Sequence, residues 1–359
     1  MKELTIFGLV ILDVIKYIED FPKTKGSYTE VKNALTLLGG NAGNTICCIS
    51  SWLNELRKEQ GTLESEVLIH LNTIQLADDN DGRALIPTID QYLTRYASSD
   101  YSRFIDVRIP PLVDRSLMVT PSVDIYVSDD TERTMLGLGF TSCDRYMGQH
   151  KQIYLESIEW KEDAWITLDY NTASVSNHII ERAGQCLMNM YVMDHVLPAR
   201  LPLQPSSDDK STPRSSFIYQ TSTDWRGKRD DIHATLGAAR LFLEQFPDTF
   251  VIITDGANGL ACGGWFKRSV REPAEYFEPF WHYAPKLDIK SVDSIGAGDA
   301  FRAGFLFSLL MGGRTLVQCL DFASVSGGLN TRHVGGCSHV PTRLDILQVL
   351  GQLHQHHQQ

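Results

Sequence analysis

The sequence lacks several features that would place it in a specialised class of protein. No window approaches the roughly 18 consecutive apolar residues of a membrane-spanning helix. Basic residues are the minority, 33 Lys and Arg against 44 Asp and Glu, and the net charge of −11 argues against a dedicated nucleic-acid or anionic-membrane binder. The apolar run at residues 4–12 closes on Asp13 with no A-x-A cleavage pattern after it, which favours a buried strand over a signal peptide.

Common catalytic and cysteine motifs are also missing. The chain has seven cysteines, an odd number, and no C-x-x-C spacing, so a disulfide framework or a zinc ribbon is not expected. Reduced thiols and a cytoplasmic location are the simplest interpretation. There is no G-x-x-x-x-G-K-[ST] phosphate loop, no G-x-G-x-x-G after the first strand, no G-x-S-x-G and no H-E-x-x-H. P-loop chemistry and a Rossmann dehydrogenase are therefore disfavoured.

Strand-like and helix-like segments alternate along most of the 359 residues. Buried strands are predicted near residues 5–12, 67–71, 164–168, 217–219 and 250–254. Helices are predicted near residues 44–56, 82–96, 174–190, 231–246 and 299–311. This alternation predicts an α/β fold with a mainly parallel sheet covered by helices on both faces. Residues 17–37 and 112–139 have strand patterns without crossover helices, which predicts a small separate sheet that serves as a lid.

The segment SVDSIGAGDAFRAGFL, residues 291–306, is the most informative in the chain. Gly296, Ala297 and Gly298 form a tight turn into a helix predicted to begin near Asp299. Such a turn lets backbone N–H groups converge, and a helix N-terminus adds partial positive charge, so the turn is suited to hold an anion. Asp299 has two interpretations: it caps the helix, or it accepts a proton from an attacking hydroxyl while the turn holds the transferred group.

A second glycine-rich turn, GGNAGNT at residues 39–45, precedes another predicted helix. In the structural interpretation Asn44 or Thr45 caps that helix. In the functional interpretation Asn41 and Asn44 bind a polar ligand, because an amide offers both donors and an acceptor to vicinal hydroxyls. Asp13, expected at the end of the first strand, adds a carboxylate at the carboxyl edge of the sheet, where α/β folds bind ligands.

These motifs together resemble those of a known family. SVDSIGAGDAF resembles the C-terminal signature of the PfkB, or ribokinase-like, carbohydrate kinases. GGNAGNT resembles their N-terminal glycine signature, in the form of ketohexokinase-like and uncharacterised PfkB sugar kinases. IITDGANG, residues 252–259, matches a strand and turn that lie between the two in chain order. The resemblance covers roughly residues 4–341.

The fold and domain organisation that this resemblance implies agree with the pattern of segments. It implies a three-layer αβα ribokinase-like fold with a mainly parallel central sheet and a small β-sheet lid. The chain would be a single kinase domain over residues 1–345. Lid strands would lie at about 14–37 and 112–140, and a helix end with a frayed tail at 346–359.

The activity implied is that of an ATP-dependent, Mg²⁺-dependent kinase that phosphorylates a hydroxyl of a sugar or sugar-like molecule. Asp299 would be the general base, with the backbone of Gly296, Ala297 and Gly298 as the anion hole. The substrate-binding residues by motif position are Asp13, Gly40, Asn41 and Asn44. The nucleotide-side residues by motif position are Thr254, Gly256, Gly259, Asn330 and Arg133. Arg133 fits a solvated hairpin equally well.

The resemblance extends to an ion and to a partner. A monovalent cation such as K⁺ would lie at Asp293 and the loop at residues 335–338. Pairing of lid strands between subunits would make the protein a homodimer. The partners expected are thus ATP, a small sugar and a second copy of the chain, with no nucleic acid and no membrane.

One stretch departs from the family pattern. Kinases of this family usually carry an N-x-x-E motif that supports magnesium and phosphate, whereas the matching residues 217–225 read FIYQTSTDW. Gln220 or Asp224 is left to replace it. The departure keeps open a non-catalytic nucleotide or sugar sensor of the same fold. A nucleoside kinase is a further alternative, in which an apolar clamp for the base comes from lid residues that could equally be lid core: Tyr17, Phe21, Tyr126 and Met135.

Overall fold

A nine-stranded sheet forms the centre of the protein in this computed structural model. The structure describes residues 2–21, 26–61, 67–73, 79–110, 119–128, 133–195, 197, 201, 214–223, 230–285, 287 and 289–356, apart from the side chains of 133 and 352–356. The strands of the central sheet are β1 (Lys2–Gly8), β4 (Val67–Thr73), β5 (Ile105–Arg108), β8 (Trp165–Asp169), β9 (Asn189–Met193), β10 (Phe217–Ser222), β11 (Phe250–Thr254), β12 (Leu260–Phe266) and β13 (Glu275–His282). Their spatial order is β13-β12-β11-β10-β9-β8-β1-β4-β5.

The sheet is mainly parallel, as the alternation predicts. Only the β11–β12 and β12–β13 pairs among its neighbouring strands are antiparallel. The central strands are apolar on both faces because successive side chains point to opposite sides, and each side is covered by helices. Phe250 and Ile252 of β11 thus belong to one hydrophobic cluster, and Val251 and Ile253 belong to the other.

Helices form the two outer layers. The cluster that contains Phe250 includes residues of α1 (Asn41–Gln60), α2 (Asn80–Tyr96), α7 (Ala297–Met311), α8 (Leu316–Asn330) and α9 (Arg343–His356). The opposite cluster includes residues of α3 (Phe140–Gln149), α4 (Lys151–Ser157), α5 (Ala173–Gln185) and α6 (Ile232–Gln245). This three-layer αβα arrangement confirms the predicted fold class. Within the described residues, no helix has the length and apolar character needed to cross a membrane.

A separate four-stranded sheet confirms the predicted lid. Its strands are β2 (Ile11–Ile18), β3 (Val31–Gly39), β6 (Ser122–Val127) and β7 (Arg133–Leu138), in the order β3-β2-β6-β7. Residues 31–36 of β3 are exposed, and so are residues 134–138 of β7, which leaves both edge strands open. Met135 is 59% exposed, so the interpretation of this side chain as lid core is wrong.

Two segment boundaries differ from the prediction. The single strand expected at residues 5–12 is two strands, because Leu9 and Val10 leave the central sheet: the Leu9 carbonyl accepts from Ala42 N–H at 3.1 Å, and Val10 N–H donates to Thr73 Oγ1 at 3.2 Å. Asp13 consequently lies within β2 of the small sheet rather than at the edge of the central one. The helix expected at residues 174–190 ends at Gln185, and β9 follows after a turn in which Leu187 has φ 54°.

Candidate active site

The glycine turn at residues 296–298 begins a buried helix. Helix α7 is apolar on nearly every side, and only Asp299 and Arg302 carry charge within it. Gly296 is its N-cap with φ 72°, and a Cβ there would lie 2.5 Å from the Cα of Gly336, so only glycine fits. The turn as a whole presents the positive end of the helix, which favours an anion. The N-cap residue is a glycine and so offers no side chain to the first turn, while the Ala297 N–H donates to the Ser294 carbonyl at 3.3 Å. The interpretation of Asp299 as the helix cap is therefore wrong.

Asp299 is held by groups from two helices. It is 6% exposed. Its Oδ2 accepts a hydrogen bond from Asn44 Nδ2 at 2.9 Å, and its Oδ1 accepts one from Arg302 Nη2 at 3.2 Å. Asn44 lies on α1, so the carboxylate joins the two glycine motifs that the sequence separates by some 250 residues.

Three carboxyl groups in this region have raised pKa values. Burial raises the pKa of Asp299 to about 6, with Asp169 and Asp194 adding to the rise while Arg302 and the hydrogen bond from Asn44 oppose it. Burial likewise raises the pKa of Asp169 to about 6. The pKa of Asp13 rises to about 7, through burial first and then through the nearby charges of Asp299 and Asp293. A carboxyl group poised near neutral pH is suited to exchange protons with a ligand.

The turn before α1 positions the residues predicted to bind substrate. Gly40 is the N-cap of α1 with φ 79°, and a Cβ on it would lie 2.4 Å from the Leu9 carbonyl oxygen. A Cβ on Gly39 would collide with the Asp13 carboxylate at 2.1 Å. Two consecutive glycines thus let the turn approach the junction of β1 and β2. Since the N-cap residue is Gly40, the structural interpretation of Asn44 or Thr45 as the cap is wrong.

The asparagines of this turn face different partners. Asn41 Oδ1 accepts from Asn171 Nδ2 at 3.1 Å, just beyond β8. Asn44 uses its Nδ2 on Asp299, while its Oδ1 is buried without a hydrogen-bond partner among the described residues. An unpaired buried acceptor is costly unless a ligand supplies a donor.

The predicted nucleotide-side residues lie after β11. Thr254 ends that strand, and its Oγ1 donates to the Thr221 carbonyl of β10 at 3.3 Å. Gly256 opens a short 3₁₀ turn, and Gly259 has φ 127°. A Cβ on Gly259 would lie 2.2 Å from the carbonyl oxygen of His282, so this glycine is needed for the hairpin to close. Arg133 begins β7, and its side chain lies outside the described part of the chain.

A loop closes over the N-terminus of α7. Asp293 accepts from Ile295 N–H at 2.9 Å and from Gly335 N–H at 2.8 Å, which joins the glycine turn to the loop at residues 335–338. Asn330, the last residue of α8, donates through Nδ2 to the Gly336 carbonyl at 3.1 Å and to the Ile295 carbonyl at 3.4 Å. Its amide nitrogen therefore connects the same two segments.

Of the two residues suggested as replacements for the N-x-x-E motif, Gln220 and Asp224, the structure describes only Gln220. Gln220 on β10 is 2% exposed; its Oε1 accepts from the Tyr191 hydroxyl at 2.7 Å, and its Nε2 donates to the Gly298 carbonyl at 3.2 Å. Both of its polar atoms are thus engaged, Nε2 by the glycine turn and Oε1 by the neighbouring strand β9. Asp224 lies outside the described residues.

The sequence interpretation missed three residues of this region. Asp169 is the last residue of the buried strand β8 and Asn171 follows it; Asp169 Oδ2 is buried without a hydrogen-bond partner among the described residues. The signal was a carboxylate at the end of an apolar strand, the same reasoning that was applied to Asp13. Arg302 is 1% exposed, and the signal for it was a single positive charge in an otherwise apolar helix.

One cluster with metal-ligand chemistry occurs elsewhere in the described residues, formed by Glu3, His70 and Glu159. Glu3 is paired with Lys161, and Glu159 is paired with Arg108. Each carboxylate already has a cationic partner, so the cluster is explained as an ion-pair network beside β4.

Known proteins resemble this chain in sequence and in fold. Residues 221–343 match the family described as pfkB family carbohydrate kinase. An uncharacterized sugar kinase of Dictyostelium discoideum is 33% identical over 362 aligned residues, which cover 96% of each chain. The fold is similar to that of a putative ribokinase from Agrobacterium tumefaciens (TM-score 0.66, 14% identity, 99% of both chains). It is also similar to Arabidopsis thaliana ribokinase complexed with ribose and ATP (TM-score 0.63, 15% identity, 98% of this chain and 99% of that one). Because the Dictyostelium relative matches over nearly the whole of both proteins, this chain belongs to the pfkB carbohydrate kinase family.

Proposed function

We propose that this chain is an ATP-dependent kinase of a sugar or sugar-like molecule, with Asp299 as the general base. The observation that carries the proposal is the position of the Asp299 carboxylate, buried in the first turn of α7 three residues after its glycine N-cap. With its pKa raised to about 6, this carboxylate is ionised at neutral pH and still basic enough to take a proton from an attacking hydroxyl.

The backbone of Gly296, Ala297 and Gly298 is assigned as the anion hole. The partial positive charge at the start of α7 offsets the negative charge that develops on the transferred group. The Gln220 side chain holds the Gly298 carbonyl and so fixes the orientation of this turn before substrate binds. A preorganised hole of this kind needs no rearrangement during the reaction.

Substrate hydroxyls are assigned to Asp13, Gly40, Asn41 and Asn44. The unpaired Oδ1 of Asn44 would accept a hydrogen bond from a sugar hydroxyl, while its Nδ2 stays on Asp299. One side chain would thereby fix the substrate relative to the base. Asp13 supplies a carboxylate acceptor from the small sheet, and closure of that sheet would exclude water as a competing phosphoryl acceptor.

The nucleotide side is assigned by motif position to Thr254, Gly256, Gly259, Asn330 and Arg133. ATP supplies the phosphoryl group, and Mg²⁺ offsets the charge of its phosphates. No described side chain is assigned to Mg²⁺, because Gln220 is fully engaged and Asp224 lies outside the described residues. Asp293 and the 335–338 loop are assigned to a monovalent cation such as K⁺. The seven unpaired thiols support a location in the cytoplasm.

A homodimer formed through the small sheet is part of the same proposal. Its two edge strands expose large apolar side chains: Val31, Leu35, Met135, Leu136 and Leu138. Apolar side chains on open edge strands are a surface that a second copy can cover.

The function is tested by a coupled assay of ADP release with Mg-ATP over ketoses, aldoses, polyols and nucleosides. Wild type should turn over one class, and Asp299→Asn should lower kcat at least about 100-fold, since the amide cannot accept the proton. The matched control is Asp321→Asn, which removes a carboxylate of α8 that pairs with His282 of β13. This variant should keep full activity.

Full activity of Asp299→Asn would rule out the base assignment. Turnover of nucleosides alone would change the substrate class. If no compound is turned over while ATP still raises Tm, the protein is a sensor of the same fold, since a ligand that binds only the folded state stabilises it.

A further inference from the structure

Arg302 is a buried charge at the centre of the candidate site. Its side chain is 1% exposed. The guanidinium donates to three groups: Nη2 to Asp299 Oδ1 at 3.2 Å, Nη2 to the Asn41 carbonyl at 2.7 Å, and Nη2 and Nε to Thr45 Oγ1 at 2.7 and 3.1 Å. Asn41 is the first residue of α1 and Thr45 lies one turn further on, so Arg302 connects the carboxylate of α7 to the start of α1.

The surroundings of Asp299 are otherwise acidic or neutral. The titratable and charged groups that interact with its carboxylate come from α1, α7, the small sheet, the ends of β8 and β9, and the 335–338 loop; they are Asp13, Cys48, Asp169, Tyr170, Asp194, Arg302 and Cys337. Arg302 is the single cation in this set of described residues. A carboxylate buried among other carboxylates is driven towards its neutral form unless a cation opposes the effect.

We propose that Arg302 is a positioning residue for phosphoryl transfer, which orients the Asp299 carboxylate against the substrate-side turn and keeps it charged. The inference rests on the proposed kinase function and goes beyond it by assigning a task to a residue that does not face the substrate. Arg302 of α7 holds Oδ1 while Asn44 of α1 holds Oδ2, so each carboxylate oxygen has its own donor. The direction in which Arg302 shifts the pKa of Asp299, downwards, agrees with this role.

The guanidinium suits this task better than an ammonium would. A planar fork reaches the carboxylate, the Asn41 carbonyl and the Thr45 hydroxyl at the same time, whereas a lysine ammonium is a single point charge. Charge and geometry can therefore be separated by substitution. Arg302→Met removes both, and Arg302→Lys keeps the charge alone.

The test measures kcat, both KM values and the pH profile of kcat for these variants in the full chain. For Arg302→Met we expect kcat to fall about 10- to 100-fold, because the base is misplaced. The acid limb of the profile should move up by about one pH unit or more, because Asp299 must lose its proton to act and the cation that favours the ionised form is gone. KM for ATP should not change. Arg302→Lys should restore the position of the limb but only part of kcat.

A second variant and a control keep the test decisive if Arg302→Met does not fold. Thr45→Val removes one anchor of the guanidinium without changing its charge; kcat should fall several-fold while the pH limb stays in place. Arg314→Met is the control, because it removes another partly buried arginine. Arg314 lies just after the C-terminal end of α7, where it packs on Phe322 of α8. This variant should lower Tm without moving the acid limb of the pH profile.

The outcomes separate this inference from the proposed function. A wild-type protein inactive on every acceptor overturns the function itself. An active wild type whose Arg302→Met variant keeps the pH limb and loses only Tm shows that Arg302 is merely structural. If Arg302→Met does not fold, an unchanged kcat for Thr45→Val overturns the inference.

Discussion

At the scale of single residues, buried carboxyl groups determine how the stability of the protein depends on pH. Asp13 and Asp299 are each less than 7% exposed, Asp169 is fully buried, and burial is the first cause of the raised pKa of each. A group whose pKa is higher in the folded than in the unfolded chain stabilises the fold only while it stays protonated. The stability of this protein should therefore fall as the pH rises from about 4 to 7.

Asp13→Asn should remove part of that pH dependence. The pKa of Asp13 is raised from 3.8 to about 7, which corresponds to up to about 4 kcal/mol of unfolding free energy lost above pH 7. The variant should be more stable than wild type at pH 8, by an amount that shrinks as the pH falls towards 4. Urea unfolding at pH 4.5 and 8 measures this. Asp124→Asn, on the neighbouring strand and only partly buried, is the control, although it also loses an ion pair with Lys16. An equal gain at both pH values for Asp13→Asn would contradict the argument.

At the scale of elements, the turn before α1 depends on glycine geometry. Gly40 has φ 79° and lies against the Leu9 carbonyl. Gly237, inside α6, has open space where a Cβ would be. The same substitution should consequently have opposite effects at the two positions.

Gly40→Ala should lower the free energy of unfolding by at least about 1–3 kcal/mol, from backbone strain, and should raise KM for the sugar because α1 must shift. Gly237→Ala should instead raise the free energy of unfolding by about 0.5–1 kcal/mol, since alanine is the better helix former. Chemical denaturation of both variants, with KM measured beside it, checks the contrast. A Gly40→Ala protein of normal stability and KM would show that the turn can relax.

The elements also show what a sequence can and cannot reveal. The alternation of the main strands and helices and the two glycine turns could be predicted, because periodicity and turn chemistry are local signals. Strands β5, β9, β12 and β13 and helices α3 and α4 were not predicted. The break at Leu9 and Val10 could not, since it depends on hydrogen bonds to Ala42 and Thr73 that are remote in sequence. The contacts of Arg302 could not be predicted for the same reason. The sequence shows a positive charge in an apolar helix, but it does not show the partners of that charge on α1.

At the scale of the whole molecule, the small sheet has apolar side chains on both open edges. If two copies pair there, the dimer should dissociate on dilution, and a charged side chain placed on either edge strand should disrupt it. Leu136→Glu, at a 56% exposed position of β7, should convert a dimer to a monomer in sedimentation velocity. Leu241→Glu, 65% exposed on α6, is the matched control. A wild type that sediments as a monomer at high concentration would refute the dimer.

The junction between β1 and β2 has a mechanical consequence. Leu9 and Val10 are tied to α1 and β4, so a rotation of β2 would have its pivot just after them. Asp13 lies three residues beyond this pivot, a lever arm of about 10 Å in an extended strand. The edge strand β7, which β6 separates from β2, would travel much further than Asp13 for the same rotation. In the proposed kinase, a rotation about this junction would therefore open the edge strands widely and displace the Asp13 carboxylate much less.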